Sequence, residues 1–449
     1  MGRRSRGARE KRPPNLKPVQ RIEVSEKHFS RRMIIFLICL TVAVAALSYG
    51  AYFWLNGSPG WQLIEVSSGE LSVAADFSFE YYVGSVDGGP SVSKRQVQAL
   101  YTRAAVHAYQ QFSTVDDISK DGESVHNLWY INSHPNQDIE VDPVLYAAFQ
   151  KAAQHGDRSM YLGILNTVYQ DIFSCQEDWE TEELDPISNP EAAEFAAELA
   201  AFAKDESQVD LKLMEGNRVR LYVSEEYLSY AEDLDRSDFL DFGWQRNAYI
   251  VDYLADSLIS AGYVNGVISS IDGFTRSLGG LSVRQAYSAC DWQSSSDSLS
   301  EDSLEGSPGR PIVAARAEFE GGVNLVSMCA FPVNSRDEDR FYVFESGDVR
   351  HPYVSIDDGV CRACAASMAV YSKELGCAEM AILAGQAFID QELSEDRLTD
   401  IVENQAQLIA VCKGEILYTQ EDLALDSIYN QGAKGDSVES GYSPRLWKD

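Results

Sequence analysis

Positive charge is scarce in this sequence outside its first 32 residues. The 449 residues include 37 Lys and Arg against 69 Asp and Glu, and the formal net charge is -32. Residues 1–32 carry eleven basic side chains against three acidic ones, which leaves a net charge near -40 for the remainder. So acidic a surface repels nucleic-acid phosphates, and we therefore expect no nucleic-acid partner.

Long apolar runs are rare as well, and the run at residues 33–55 is long enough to cross a membrane. Its 23 uncharged residues would span about 34 Å as a helix, against about 30 Å of bilayer hydrocarbon. A cleaved signal peptide is the alternative, but the run is long for one and no small-x-small site follows closely. Arg31 and Arg32 precede it, so we expect a single-pass protein of the cell membrane with a cytoplasmic N-terminus and an extracytoplasmic C-terminal domain.

Cysteine is present but lacks the grouping of a zinc site. Cys39 falls in the apolar run, and the other seven of the eight cysteines lie outside it. Cys361 and Cys364 form a C-x-x-C pair with no second pair and no histidine pair nearby, which disfavours zinc. A local disulfide and plain buried thiols both stand as interpretations, and the odd number predicts at least one free thiol or an intermolecular pairing.

Helical and extended patterns alternate through the rest of the chain without an internal repeat. The dipeptides Asp142–Pro143 and Asn189–Pro190 each predict the start of a helix, and Gly216–Asn217 predicts the turn of a hairpin. Interspersed strands and helices predict an α+β fold. The predicted organisation is a basic cytoplasmic arm at 1–32, a transmembrane anchor at 33–55, a stalk at 56–76, an α+β domain at 77–420 with a polar low-complexity loop at 293–310, and a flexible tail at 421–449.

Residues 241–273, DFGWQRNAYIVDYLADSLISAGYVNGVISSIDG, place one glycine before a helix and another after the strand that follows. Glycines in such positions predict a backbone that approaches a ligand or turns tightly. The pattern resembles the central signature of the ApbE family, the FAD:protein FMN transferases, which reads Asp-Leu-Gly-Gly-x-Ala-Lys-Gly-Tyr-x-x-Asp before a helix and a strand that leads into Asn-x-Gly-Gly. The matching positions are Asp241, Gly243, Tyr249, Asp252 and Gly273, while asparagine and alanine replace the Lys-Gly pair.

The resemblance continues through most of residues 77–420. Asn132 falls on the asparagine of the family's Leu-Asn loop, and Glu379 falls on the helix that carries the family's metal-binding Asp-Ala-Leu-x-Thr motif. Leucine occupies the threonine position of that helix, and Leu162 replaces the aspartate of the Gly-Ala-Phe-Asp-Pro-Thr motif. His351 lies about one position away from the family's histidine motif.

The resemblance implies an ApbE-like α+β domain behind a single N-terminal transmembrane helix. Such a protein cleaves FAD with Mg²⁺ and attaches FMN to an exported flavoprotein acceptor or a membrane redox complex. The residues placed at the cofactor are Asn132, Asp241, Gly243, Arg246, Asn247 and Gly273. The resemblance also implies Glu379 and the backbone carbonyl of Arg246 as metal ligands, and Asp252 and His351 as catalytic residues.

Each of these residues also has a purely structural interpretation. Asp241 is suited to a helix N-cap, Glu379 to a solvated first helical turn, and Asn132 to a turn. Asp252 fits an exposed helix face, and His351 fits an ordinary loop. Two hypotheses therefore stand: a membrane-anchored FMN transferase with weakened or lost catalysis, and a catalytically degenerate ApbE-like binding or assembly module.

Overall fold

The computed structural model of the protein describes residues 29–56, 60–67, 71–84, 92–115, 117–120, 122–280, 284–294, 308–427, 430–431, 437–438 and 442–448. The chain divides into two compact units, Met1–Gly57 and Ser58–Asp449. The first unit contains the helix α1, Phe29–Asn56, whose stretch Met33–Gly50 is long and apolar enough to cross a membrane. This helix includes the predicted anchor at 33–55, and its orientation stays a prediction.

The second unit mixes helices and strands, as predicted. Its described helices are α2 Lys94–Phe112, α3 Leu128–Ser133, α4 Pro143–Gln154, α5 Gly163–Ser174, α6 Asp178–Leu184, α7 Pro190–Lys204, α8 Glu225–Asp233, α9 Arg246–Ser260, α10 Cys377–Phe388 and α11 Glu395–Glu403. Its described strands are β1 Gly60–Leu63, β2 Phe77–Val83, β3 Ser119–Lys120, β4 Glu123–Ser124, β5 Ile139–Glu140, β6 Val209–Met214, β7 Arg218–Val223, β8 Gly266–Ser270, β9 Phe274–Ser277, β10 Gln285–Ser294, β11 Gly309–Phe319, β12 Asn324–Cys329, β13 Tyr342–Val343, β14 Val349–Arg350, β15 Ser367–Ser372, β16 Gln407–Cys412, β17 Glu415–Tyr418, β18 Ala424–Ser427, β19 Asn430–Gln431, β20 Ser437–Val438 and β21 Ser443–Leu446.

A nine-stranded sheet runs through this unit in the order β1-β2-β8-β9-β12-β15-β16-β17-β21. All six residues of β15 are buried, because both faces of the sheet are covered there. Met368 and Val370 belong to the main core cluster, which also contains buried residues of α9 and α10, while Ala369 and Tyr371 pack with residues of the small sheet β10-β11-β18. A strand covered on both faces needs apolar side chains at successive positions, and the sequence SMAVYS supplies four of them in a row.

The predicted helix starts are confirmed in atomic detail. The Asp142 carboxylate accepts a hydrogen bond from the Val144 N–H, and the Asn189 side chain accepts one from the Glu191 N–H. These bonds satisfy backbone donors that a helix cannot satisfy internally. The β6–β7 hairpin turns at Gly216 and Asn217, which both adopt positive φ.

The segments predicted as extended or irregular differ in part from the structure. The sequence RFYVFES at residues 340–346 has the aromatic and β-branched residues typical of a strand, but it contributes only the two-residue strand β13. The described part of the predicted tail supplies β18, which pairs with β11, and β21, which pairs in parallel with β17. The ends of the predicted loop at 293–310 belong to β10 and β11, whereas residues 295–307 and 1–28 lie outside the described residues.

A buried ion pair joins the loop after α6 to the end of β14. Arg350 donates from Nε and Nη2 to the two carboxylate oxygens of Asp185 over 3.0 and 2.8 Å, and the Asp185 side chain has no exposed surface. Burial by itself would raise the pKa of Asp185, but hydrogen bonds from Arg350 and Ser188 outweigh burial and hold that pKa below its ordinary value. Because Arg350 and Asp185 neutralise each other, both charges can stay buried in a protein that is poor in Lys and Arg.

We predict that Arg350→Ala lowers the free energy of unfolding by about 3–5 kcal/mol, because it leaves the Asp185 carboxylate buried without its partner. The matched control is Arg220→Ala, which breaks an ion pair with Asp138 whose side chains are 48% and 37% exposed. That variant should lose less than about 1 kcal/mol. Denaturant titration of both full-length variants in detergent measures the difference, and equal losses would contradict the prediction.

Candidate functional site

Four of the predicted cofactor residues line one cavity of about 260 Å³ at the start of α9. They are Asp241, Gly243, Arg246 and Asn247. The 3₁₀ turn Gly243–Gln245 brings the chain into α9 at this point, and α5 and the turn between β8 and β9 supply further walls. Four residues of the segment that resembles the family signature thus lie in the wall of the same cavity.

The two motif glycines are required by close contacts with the protein. Gly243 has a φ of +54°, and a Cβ atom there would lie 2.7 Å from the Asn166 amide nitrogen. Gly273 has a φ of +100°, and a Cβ atom there would lie 2.2 Å from the Ser327 carbonyl oxygen on β12. The first glycine lines the cavity, whereas the second completes the β8–β9 turn and places its neighbour Asp272 in the cavity wall. The tight-turn interpretation therefore applies at Gly273, and the approach of a ligand to Gly243 stays a prediction.

Asn132 acts on the site through the backbone. Its side-chain amide donates to the Leu240 carbonyl and accepts from the Leu240 N–H, both over 2.9 Å, and the residue is buried. This two-way bond fixes the chain immediately before Asp241. Asn132 is not among the residues that line the cavity, so the structure places it behind the site.

Opposite charges pair within the cavity wall. Arg246 donates from Nη2 to Asp241 over 2.8 Å, and the Asp241 carboxylate raises the pKa of the guanidinium, helped by Asp76 and Asp272. Asn247 donates to Asp272 over 2.9 Å, and the Nη1 of Arg340 lies 3.6 Å from the same Asp272 oxygen. Burial raises the pKa of Asp272, an effect that Arg340 opposes.

Sequence reasoning missed several residues of this lining. Asp272 and Arg340 carry charge, Asn166 carries an amide, and Trp244 supplies an aromatic wall. Asp272 had a detectable signal, because it stands in SSIDG where the family motif has a glycine. Arg340 had none, because it reaches the cavity from the 3₁₀ helix Ser335–Arg340, far away in the sequence.

Asp252, predicted as catalytic, lies elsewhere and caps another helix. Its carboxylate accepts from the Cys377 and Ala378 N–H groups over 2.8 and 3.0 Å, at the start of α10. Arg276 approaches the carboxylate to 3.3 Å and Lys151 to 3.9 Å. Burial raises the pKa of Asp252. The two N–H groups, Arg276 and Lys151 oppose this rise. The side chain therefore holds α4, α9, β9 and α10 together.

We predict that Asp252→Ala lowers the free energy of unfolding by about 2–4 kcal/mol, because two buried N–H groups lose their acceptor and the half-buried Arg276 loses an ion-pair partner. Asp256→Ala, one turn along the same helix and at an aspartate whose side chain is 64% exposed, should cost less than about 1 kcal/mol. Denaturant unfolding of the two variants gives the comparison. A stable Asp252→Ala protein would refute the structural role.

Glu379, the predicted metal ligand, sits in the first turn of α10 and faces His155, with 3.6 Å between the carboxylate and the imidazole. Mg²⁺ requires several hard oxygen ligands. Among the described residues no group of three or more His, Cys, Asp or Glu side chains could hold a metal ion. Neither Glu379 nor any other residue of α10 lines the cavity of Arg246. The described side chains thus do not fit a Mg²⁺ site built on Glu379.

His351, the second predicted catalytic residue, is buried at the end of β14. Its Nδ1 has no hydrogen-bond partner, and its ring packs against Tyr353 with 5.4 Å between centroids. Burial and then the charge of Arg350 lower the pKa of His351 to about 3. A general base works best with a pKa near the operating pH, so this histidine is poorly matched to that role at neutral pH.

The lowered pKa predicts acid sensitivity. An unfolded chain binds a proton at His351 near pH 6.5, whereas the native chain resists protonation down to about pH 3, so stability falls as the pH falls between these values. Replacing the histidine by a group that does not titrate, His351→Gln, should remove about 2 kcal/mol of the stability lost between pH 7.5 and pH 5.

The measurement is the free energy of unfolding at both pH values for the wild type and the variant. His134→Gln serves as the control, because it retains His351 and should keep the wild-type dependence. An unchanged pH dependence in His351→Gln would contradict the assignment.

Comparison with known proteins finds likeness in three-dimensional structure alone. No family model matches the sequence, and no curated protein matches it. The chain is similar to the ApbE protein of Thermotoga maritima at 15% identity and a TM-score of 0.48, covering 80% of this chain and 95% of that one. It is also similar to the flavin transferase ApbE of Vibrio cholerae at 15% identity and a TM-score of 0.47, covering 82% and 97% of the two chains. A histidine-to-glycine mutant of the Vibrio cholerae protein has 15% identity and a TM-score of 0.42, and the alignment covers 78% of this chain and 92% of that one. At these values the likeness carries no functional argument.

Proposed function

We propose that the protein is a membrane-anchored, extracytoplasmic flavin-binding module that has lost metal-dependent FMN transfer. The observation that carries this proposal is the separation of two sets of residues. Four of the six residues predicted to hold a cofactor line one cavity, whereas Asp252, His351 and Glu379 lie outside its lining.

The cavity supports the binding half of the proposal. It has aromatic side chains in Tyr169, Phe173 and Trp244, and polar side chains that fix orientation, as ligand pockets usually do. Its volume of about 260 Å³ falls just below the range of about 300–1,000 Å³ typical of ligand pockets. A flavin ring is the size of ligand that it suits, and a whole dinucleotide would extend beyond it.

The three remaining residues support the loss of catalysis. Transfer of FMN from FAD needs a cation at the pyrophosphate and a base that frees the acceptor hydroxyl. Asp252 caps α10, Glu379 faces a histidine in place of further acids, and His351 is buried with a low pKa. Each residue can be explained by the fold, and no two of them share a described cavity.

The test measures FAD binding and FAD cleavage on the same full-length protein in detergent. We predict saturable FAD binding by fluorescence polarisation and no AMP release with Mg²⁺. Arg246→Ala should weaken binding at least about tenfold, since a charged hydrogen-bonding group is worth about 1.5–3 kcal/mol. Arg218→Ala, an exposed arginine of the β6–β7 hairpin, is the matched control and should bind as the wild type does.

The outcomes separate the hypotheses. Robust AMP release that Glu379→Ala abolishes would show an active transferase and contradict the proposal. Absence of flavin binding together with absence of cleavage would also contradict it, and would leave a role in assembly without flavin.

A further inference from the structure

The strand β1 exposes two large apolar side chains at one edge of the nine-stranded sheet. Exposure alternates along this strand, so Trp61 and Leu63 point to the same side, and the two residues are 43% and 50% exposed. Soluble proteins usually protect such an edge with charged side chains. Two neighbouring apolar side chains on an open edge therefore indicate a contact surface.

The adjacent strand β2 extends this surface. Trp61 pairs with Tyr82 across the two strands, and their rings meet edge to face with 5.9 Å between centroids. Directly paired residues share a face of the sheet, so the half-buried Tyr82 belongs to the same side as Trp61 and Leu63. We call these three residues the β1 face. The alternate residues of β2 belong to the core on the opposite side: Phe79, Tyr81 and Val83.

The position of the β1 face in the chain indicates what covers it. The helix α1 ends at Asn56 and β1 begins at Gly60, so only residues 57–59 connect them. Whatever their conformation, the five residues from Asn56 to Trp61 can span at most about 18 Å. The headgroup layer on each side of a bilayer is itself about 5–8 Å thick. If α1 crosses a bilayer, covalent geometry therefore keeps Trp61 within reach of the lipid headgroups.

The chemistry of the β1 face also fits lipid. Tryptophan and tyrosine are the residues that concentrate at the membrane interface, because their rings are apolar and carry one polar group. The exposed acids Glu65 and Glu80 lie beside this face in the sequence or across the strands, and the chain has a net charge of -32. Two copies of so acidic a surface repel each other, and anionic lipids are repelled as well. A zwitterionic lipid surface carries no net charge and is the partner that fits best.

We propose that the β1 face binds the surface of the bilayer that α1 spans, with Trp61 and Leu63 inserted among zwitterionic lipid headgroups. The inference rests on the membrane-anchored part of the proposed function. It adds a second attachment to lipid, made by the first strand of the α+β unit. Insertion of these side chains removes apolar surface from water, which is the force that binds interfacial segments to membranes.

The experiment places the full-length protein in phosphatidylcholine vesicles, made once with ordinary lipid and once with lipid brominated on its acyl chains. Bromine quenches tryptophan emission only over a short range, so it reports the rings that lie against lipid. Subtracting the emission of Trp61→Phe from that of the wild type isolates Trp61 from the other six of the seven tryptophans. Bromination should lower this difference signal at least about twofold, because an interfacial tryptophan lies next to the acyl chains.

Trp179→Phe is the matched control. Trp179 lies on α6 and is 59% exposed, more than Trp61, but no short connection ties it to α1. Its difference signal should be the same in both kinds of vesicle. Equal quenching of Trp61 and Trp179 would show that exposure alone brings a ring to the lipid, and would contradict the assignment to the β1 face.

Flotation of the vesicles after alkaline extraction separates the two levels of the proposal. Protein that leaves the vesicles at this step would overturn the membrane anchoring of the proposed function, and the inference with it. Protein that stays, but whose Trp61 signal is unchanged by bromination, would overturn the inference alone. Quenching of that signal by aqueous acrylamide would then show an open face, and protection from acrylamide would show that a second copy or another protein covers it.

Discussion

The Asp252 carboxylate at the start of α10 is the interaction on which the arrangement of the site depends. It extends from α9, accepts two N–H groups of α10, and lies close to Arg276 on β9 and Lys151 on α4. Gly376 leaves room for it, since a Cβ atom there would lie 2.5 Å from the Asp252 oxygen. Because Asp252 and Arg246 are less than two turns apart on one helix, the cap also fixes the rotation of α9 and hence the direction in which the cavity residues point.

The scarcity of positive charge explains how the arginines are used. In a chain with a net charge of -32, each carboxylate in the interior needs a nearby cation or a set of N–H groups. The described arginines supply such pairs at Asp185, Asp241 and Asp252, through Arg350, Arg246 and Arg276. These three carboxylates are therefore held in place by arginines of the fold. Residues that look reactive by type become structural once they are paired and buried.

The same pairing determines the charge of the cavity at Arg246. Its arginines are partly neutralised by neighbouring aspartates, so they act as hydrogen-bond donors more than as an anion trap. The helix α1 of the first unit is long and apolar enough to cross a membrane.

The sequence by itself determined the long apolar helix α1, the capped helices α4 and α7, the β6–β7 turn, and the segment that supplies four of the cavity residues, because each depends on neighbours within a few residues. Only the tertiary structure decided what the polar residues do. Asn132 meets Leu240 across 108 positions, Cys377 brings its N–H to Asp252 across 125, and Arg350 reaches Asp185 across 165. Local sequence patterns indicate helix periodicity and turn geometry. They do not indicate which distant group will bind a carboxylate, and that group decides whether the carboxylate caps a helix or is free for catalysis.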